Sequence, residues 1–522
     1  MHGRDRDEPN CSIARIQFVA SLEAPDRHRR RTEIRNATPL SAYGYAFTFD
    51  SRGHAVTSLQ RLLWCQSFGV SVGEVIVMSQ KKIARRGFLA QSAVAASAAF
   101  AAPAIVRAST LEKEFHVAAI GVNGMGWADL SSVGKHTKVK FVGFCDIDAG
   151  RFDKVDAEFP GVPHFADYRK CLSELGDKVD GVIVSTPDHM HAPIAMMAMK
   201  MGKHVYCQKP LTHTVWEARQ MRLMAEKMGI TTQMGNQIHS AAEYRLGVKL
   251  IQTGAIGKVK EVHSWVGVSG RQYNNRTDRP ASSPVPAGVD WDLWLGAAAE
   301  RPFAADVYHP FKWRDWQDFG SGGLGDFGCH VLDPVFTALG ITAPTSILAE
   351  NAGTTSEVWP GPETLYYEFP GNERTAGATI KVTWRDGGLK PPRDLAQLPE
   401  GVELPAAGSM FIGEGGVMVL PHVGKPGLYP QDKFSGYKMP EVTGANHWHD
   451  WVDASMAGTK TTDGFDYAGP LSETVQLGNV AARLPGQKLD WDSAAMKFTN
   501  VEAANKMLTK SYRKGFEVEA VG

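Results

Sequence analysis

Two groups of residues have the types and spacing to do chemistry. Gly121-Val122-Asn123-Gly124-Met125-Gly126 follows the apolar run 115–120 and leads into a helical pattern from Trp127. Glycines at such a turn let the backbone approach a pyrophosphate, and the helix that follows aims its free N–H groups at it. A second apolar run, Val139 to Cys145, ends at Asp146, 20 residues after Gly126. That is the distance at which a carboxylate grips the two hydroxyls of a ribose. The glycine spacing is Gly-x-x-Gly-x-Gly, so the strand before it and the acid after it carry the reading more than the glycines do. Asp146 favours NAD, because it would repel a 2′-phosphate; NADP is the lesser expectation and rests on Arg151 nearby. The second group is Asp326 and His330. Residues four apart share a helical face, so the two could point together at one substrate hydroxyl, although such a pair in a glycine-rich stretch is by itself more often structural. Pro334 cannot donate to the carbonyl of His330, so a helix must kink there or begin nearby.

These residues need elements to position them. Beyond Asp146 the pattern predicts helix 168–175, strand 179–186, helix 192–201, strand 204–208, helix 215–228 and strand 231–234. Strands alternating with helices of this length mean a doubly wound parallel sheet, whose ligands lie beyond the carboxyl ends of its strands. The loops Ser185-Thr186-Pro187-Asp188-His189-Met190-His191 and Gln208-Lys209-Pro210 both open at that end. His189 and His191 have no partnering carboxylate or cysteine cluster, so no metal site is assigned. After Gly254 strand-like runs dominate, with helices near 244–252, 447–456 and 471–483. An α+β domain with an open, mainly antiparallel sheet is therefore expected after the Rossmann domain. The boundaries read as 110–235 for the first and 236–522 for the second.

From about Phe115 to near the C-terminus the chain resembles the Gfo/Idh/MocA family of NAD(P)-dependent oxidoreductases. Two segments carry the likeness: Gln208-Lys209-Pro210, where the family has Glu-Lys-Pro, and Gly322 to Asp333, which resembles its Asp-x-x-x-His segment. The resemblance implies that His330 is the base accepting the hydroxyl proton, that Asp326 orients it or binds a neighbouring hydroxyl, and that Lys209 polarises the same oxygen. A histidine titrates near neutrality and a lysine steadies an alkoxide-like transition state, which suits hydride loss from that carbon. Gln208 in place of Glu keeps a hydrogen-bonding group but removes a charge beside Lys209. The expected cofactor contacts are Gly121, Asn123, Gly124, Met125, Gly126, Asp146, Thr186, Pro187, His191, Gln208, Lys209 and Asn236. The aromatic stretch from Trp291 to Phe319 either stacks on a sugar ring or packs the protein. The implied activity is oxidation of a sugar, polyol or glycoside hydroxyl by tightly held NAD. A glycosidase working by transient oxidation and elimination uses the same parts. A noncatalytic sugar-binding protein would follow if Lys209 or His330 faced away from the nicotinamide. The second domain of such proteins often forms homo-oligomers.

Composition limits the alternatives. The 522 residues are 43% hydrophobic and 21% charged, with 56 Lys+Arg against 56 Asp+Glu. That balance leaves no electrostatic footprint for nucleic acid, and six cysteines without a C-x-x-C pair indicate neither a disulfide scaffold nor a cysteine zinc site. Before residue 78 there are ten Arg and no Lys, so residues 1–77 read as a disordered extension or a start placed too far upstream. Residues 78–108 place Arg85-Arg86-Gly87-Phe88-Leu89 before an alanine-rich run and Val106-Arg107-Ala108. This resembles a twin-arginine signal, which implies the export machinery as a partner, a periplasmic location, and no stable membrane span after cleavage.

Overall fold

The computed structural model describes residues 113–521, except 269, 270, 272, 274 and 275. The extension and the signal segment lie outside the described residues. Six strands form a parallel sheet: β1 (Phe115–Ile120), β2 (Val139–Cys145), β3 (His164–Phe165), β4 (Gly181–Val184), β5 (His204–Gln208) and β6 (Thr232–Gly235), in the order β3-β2-β1-β4-β5-β6. The order reverses beside β1, which places the crevice between the loops after β1 and β4. β4 is buried at every residue and β1 at all but His116, as expected for strands covered on both faces. The helix Val215–Met228 shows why the pattern was readable. Thr214 and Glu217 make a reciprocal cap at its start, and Gly229 ends it in the left-handed region at φ 62°.

The second sheet has nine strands: β7 (Val259–Trp265), β8 (Ser346–Asn351), β9 (Glu363–Pro370), β10 (Thr379–Arg385), β11 (Gly408–Gly413), β12 (Val417–Pro421), β13 (Gly427–Tyr429), β14 (Leu489–Asp492) and β15 (Lys497–Phe498). Their order is β13-β12-β11-β7-β10-β9-β8-β14-β15, antiparallel at every pairing except β7 with β10. In β9 the buried Leu365, Tyr367 and Phe369 alternate with more accessible neighbours, the signature of a sheet with one packed face.

The chain then returns to the first sheet. Helix His447–Ala457 packs on helix Met125–Val133, and helix Phe465–Ala482 packs on Val215–Met228. The latter begins six residues before the Leu471 read from the pattern. Arg219 clamps Glu473 across that contact with two hydrogen bonds, 2.7 and 2.8 Å. The C-terminal tail continues along the first domain, where the Arg169 guanidinium lies 4.3 Å from the Phe516 ring centre. No helix among the described residues is long and apolar enough to cross a membrane.

Candidate active site

The glycine turn is built from backbone-to-backbone contact. A Cβ on Gly121 would stand 2.4 Å from the Ser185 carbonyl oxygen, and one on Gly126 would stand 2.0 Å from the Gly121 oxygen. Gly121 also has φ 83°, which L side chains rarely adopt. Asn123 steadies the turn by accepting from the Gly124 N–H at 2.7 Å. Gly121, Asn123, Gly124 and Met125 form one wall of a cleft of about 570 Å³. Gly126 is not on that wall; it lies beneath the turn, where its missing side chain allows the approach.

Asp146 lines the same cleft. Its two oxygens accept from the N–H groups of Val122 and Asp148, each at 3.1 Å, which fixes the carboxylate while leaving lone pairs for a ribose diol. Burial raises its pKa, and those two N–H groups and His309 oppose the rise. Arg151 donates to Asp148 at 2.7 Å, and His309 pairs with the same carboxylate at 3.0 Å. The cation on which NADP rested is thus already engaged.

At the far end of the cleft stand Thr186, Pro187, Asp188, Gln208 and Lys209, from the loops after β4 and β5. Thr186 Oγ1 is buried without a partner among the described residues. An unsatisfied hydroxyl at the wall, a cradle that Cβ atoms would fill, and a fixed carboxylate for a diol together fit a dinucleotide. His191, expected at the cofactor, is not on the wall. Its Nδ1 and Nε2 lie 2.8 Å from the carbonyl oxygens of Pro210 and Thr186, so it staples the two loops from behind. His189 likewise faces a carbonyl, that of Trp294, at 3.1 Å.

Lys209 leads into a cluster of charges. Its ammonium donates to Asp326 Oδ1 at 2.6 Å and to the Asp326 carbonyl at 2.8 Å. Tyr273 donates to Asp326 Oδ2 at 2.8 Å, and Arg314 Nε lies 3.6 Å from Oδ1. Burial works against this charge, but Lys209, Arg314 and Tyr273 hold the Asp326 carboxyl well below the usual range. Lys209 has three N–H donors, so one is left for a substrate oxygen. Asp188 is 4% exposed, and burial pushes its carboxyl up to about 7 against the pull of Arg314.

Asp326 and His330 do share one helix, Gly322–Val331. Of the two outcomes expected at Pro334, a helix does begin nearby: the first ends at Val331 and a second starts at Asp333 with the proline in its first turn, where no N–H is needed. Asn236, expected to touch the cofactor, is instead fully buried beside His330. Its amide nitrogen donates to the Cys329 carbonyl at 2.9 Å and to Asp333 Oδ2 at 2.7 Å, which turns its oxygen toward His330 Nδ1. The imidazole must donate from Nδ1, leaving Nε2 as the acceptor. Burial, then Lys209 and His422, push His330 well below its ordinary range, so the ring is neutral. Asp333 also receives Tyr244 at 2.8 Å, His239 at 2.9 Å, and Tyr467. His330 stands on the wall of a second cavity of about 210 Å³ that it shares with His422, the ring centres 5.3 Å apart.

The aromatic stretch is mainly core. Trp294, Tyr308, Trp313, Trp316 and Phe319 are buried in one cluster, while Phe311 is exposed and, with Trp294 and Trp313, faces the cleft. Tyr273, Arg314 and His422 escaped the sequence reading because none sits in a motif; only the fold brings them to Lys209 and His330.

Residues 115–236 match the model described as "Oxidoreductase family, NAD-binding Rossmann fold", and residues 244–356 match "Oxidoreductase family, C-terminal alpha/beta domain", both of the Gfo/Idh/MocA family. Levoglucosan dehydrogenase of Pseudarthrobacter phenanthrenivorans is 28% identical over 169 residues, 32% of this chain and 34% of that protein. Glucose-6-phosphate 3-dehydrogenase of Bacillus subtilis is 25% identical over 219 residues, 42% of this chain and 51% of that protein. The chain thus spans about a third to a half of these curated relatives. The aldose-aldose oxidoreductase of Caulobacter crescentus, complexed with glycerol, superposes with a TM-score of 0.50 at 16% identity, covering 73% of this chain and 100% of that one, a likeness of fold. The two family models follow one another in the order of the two domains seen here, and the chain is a member of the Gfo/Idh/MocA oxidoreductase family, with an NAD-binding Rossmann domain followed by that family's C-terminal α/β domain.

Proposed function

We propose that this protein oxidises a hydroxyl of a sugar, polyol or glycoside. The observation that carries the reading is the meeting of Lys209 with Asp326 at 2.6 Å, one helical turn before His330, at the end of a cleft whose other end is the glycine turn. When bound, NAD supplies the hydride acceptor. Gly121, Gly124 and the start of helix Met125–Val133 would hold its pyrophosphate, and Asp146 its ribose. Asp326 and Tyr273 fix the Lys209 ammonium, whose remaining N–H bonds the substrate oxygen and stabilises the charge that grows there. His330, which lines the second cavity and not the cleft itself, is assigned the hydroxyl proton through Nε2, with Asn236 holding the ring in the required tautomer. The buried aromatic cluster that includes Trp294 and Trp313 supports the cleft wall.

Lys209→Ala and His330→Ala are expected to lose turnover while still binding NAD; normal turnover in either removes that residue from the mechanism. The two curated relatives named above are dehydrogenases, and the glycosidase reading is not preferred. Export by the twin-arginine route is part of the proposal and rests on the Arg85-Arg86 segment; a mature N-terminus near residue 109 in periplasmic extracts tests it. Homo-oligomerisation through the second domain is tested by light scattering.

A further inference from the structure

Asp129 has no part in the steps above, yet it is fully buried and receives five side-chain donors from four segments. Ser185 at the end of β4 donates at 2.8 Å; Tyr206 and Gln208 of β5 donate at 3.2 and 2.8 Å. Gln237 after β6 donates at 3.4 Å, and Trp448 of helix His447–Ala457 at 3.0 Å. All five are neutral dipoles. They surround a carboxylate at the middle of helix Met125–Val133. Burial pushes the carboxyl up to about 6, against the pull of Trp448, Ser185, Gln208 and Tyr206.

This arrangement accounts for Gln208. A glutamate at that position would set two carboxylates at hydrogen-bond distance inside the protein, and they could coexist only by holding a proton between them. The amide instead donates, so Gln208 and Asp129 form one matched pair. Ser185 and Gln208 both line the cleft, and each is followed by another lining residue, Thr186 or Lys209. Asp129 itself is fully buried and does not line the cleft.

We propose that Asp129 is a positioning residue of the nucleotide cleft: it ties the ends of β4 and β5 to the glycine-turn helix, and so sets Lys209 relative to the pyrophosphate site. The NAD-binding half of this inference stands without the oxidation reading; the Lys209 half rests on it. The test uses full-length Asp129→Asn, Gln208→Glu and the double variant, measuring NAD affinity by titration and kcat and KM for an oxidised sugar. Asp129→Asn turns an amide N–H toward the donors and is expected to weaken NAD binding and lower kcat by about tenfold or more, with sugar KM little changed. The double variant restores one carboxylate and one amide with the bond reversed, and is expected to recover to within about fivefold of wild type. Such rescue would not follow if Asp129 merely filled space. An Asp129→Asn protein that matches wild type within twofold in both NAD affinity and kcat overturns the proposal, as does a double variant no better than the product of the singles. Should Asp129→Asn fail to fold, Gln208→Leu, which removes one donor, must lower kcat by about tenfold; an unchanged kcat overturns it equally. If wild type oxidises no sugar, the oxidation reading fails, and NAD affinity alone decides for or against Asp129.

Discussion

Gly126→Ala is the sharpest perturbation of the cofactor cradle. The added methyl would stand 2.0 Å from the Gly121 oxygen and 2.7 Å from its carbonyl carbon, where ordinary contact begins at 3.4 Å. Both neighbours are backbone, so no side-chain rotation relieves the clash, and the turn must retreat by roughly 1.4 Å. Gly126 is not among the positive-φ glycines, so the cost is steric alone. Overpacking of this kind costs about 1–3 kcal/mol. If that strain falls on the conformation that holds the pyrophosphate, NAD affinity drops by about 5- to 150-fold. The assay is titration of NAD against intrinsic tryptophan fluorescence, with thermal melting in parallel. Gly161→Ala is the control: it has φ 84°, no atom within 4 Å of its added methyl, and no place on the cleft wall. It should lower the melting temperature while leaving NAD affinity unchanged. Gly126→Ala binding NAD within twofold of wild type, or Gly161→Ala weakening NAD as much as Gly126→Ala, would refute the steric reasoning.

Asn236→Ala frees the His330 ring from its tautomer and is expected to lower kcat by about 10- to 100-fold with NAD affinity within threefold, measured by steady-state kinetics and titration. Asp146→Ser removes the diol acceptor and should weaken NAD by about tenfold while reducing discrimination against NADP; with Arg151 held by Asp148, NADP should gain little in absolute affinity. His239 gives a pH signature. Burial opposes its charge, but Asp333 outweighs burial and raises the pKa to about 9. With an unfolded pKa near 6.5, the folded state binds the extra proton between those values. This stabilisation, up to about 3 kcal/mol, is full below pH 6.5 and is lost as pH rises through 9. Melting curves from pH 6 to 10 should fall more steeply for wild type than for His239→Gln.

Much of this site could be read along the chain because local chemistry announces it. The turn at Gly121–Gly126, Asp146 at a strand end and the four-residue step from Asp326 to His330 all depend on neighbours in sequence. The placement of Asn236 could not be read that way. From the end of β6 it looked free to meet the cofactor, yet its partners, Cys329, His330 and Asp333, come from nearly a hundred residues later. His191 misled for a related reason: a loop position beside Thr186 and Pro187 suggested exposure, but the next loop supplies the Pro210 carbonyl that draws the ring inward. Gln208 read as a loss of charge; the structure shows a carboxylate from another element, Asp129, at 2.8 Å. Pro334 admits from sequence either a kink or a helix start nearby, and the structure has the start: a new helix begins at Asp333, where the proline needs no N–H.

The stoichiometry of NADH formed per sugar consumed tests the central claim most directly, using protein expressed from Met78 with NAD and a panel of sugars, polyols and chromogenic glycosides. One NADH for each hydroxyl oxidised, lost in Lys209→Ala, is the expected result. Release of an aglycone without accumulation of NADH, or turnover that survives the loss of Lys209, would contradict it.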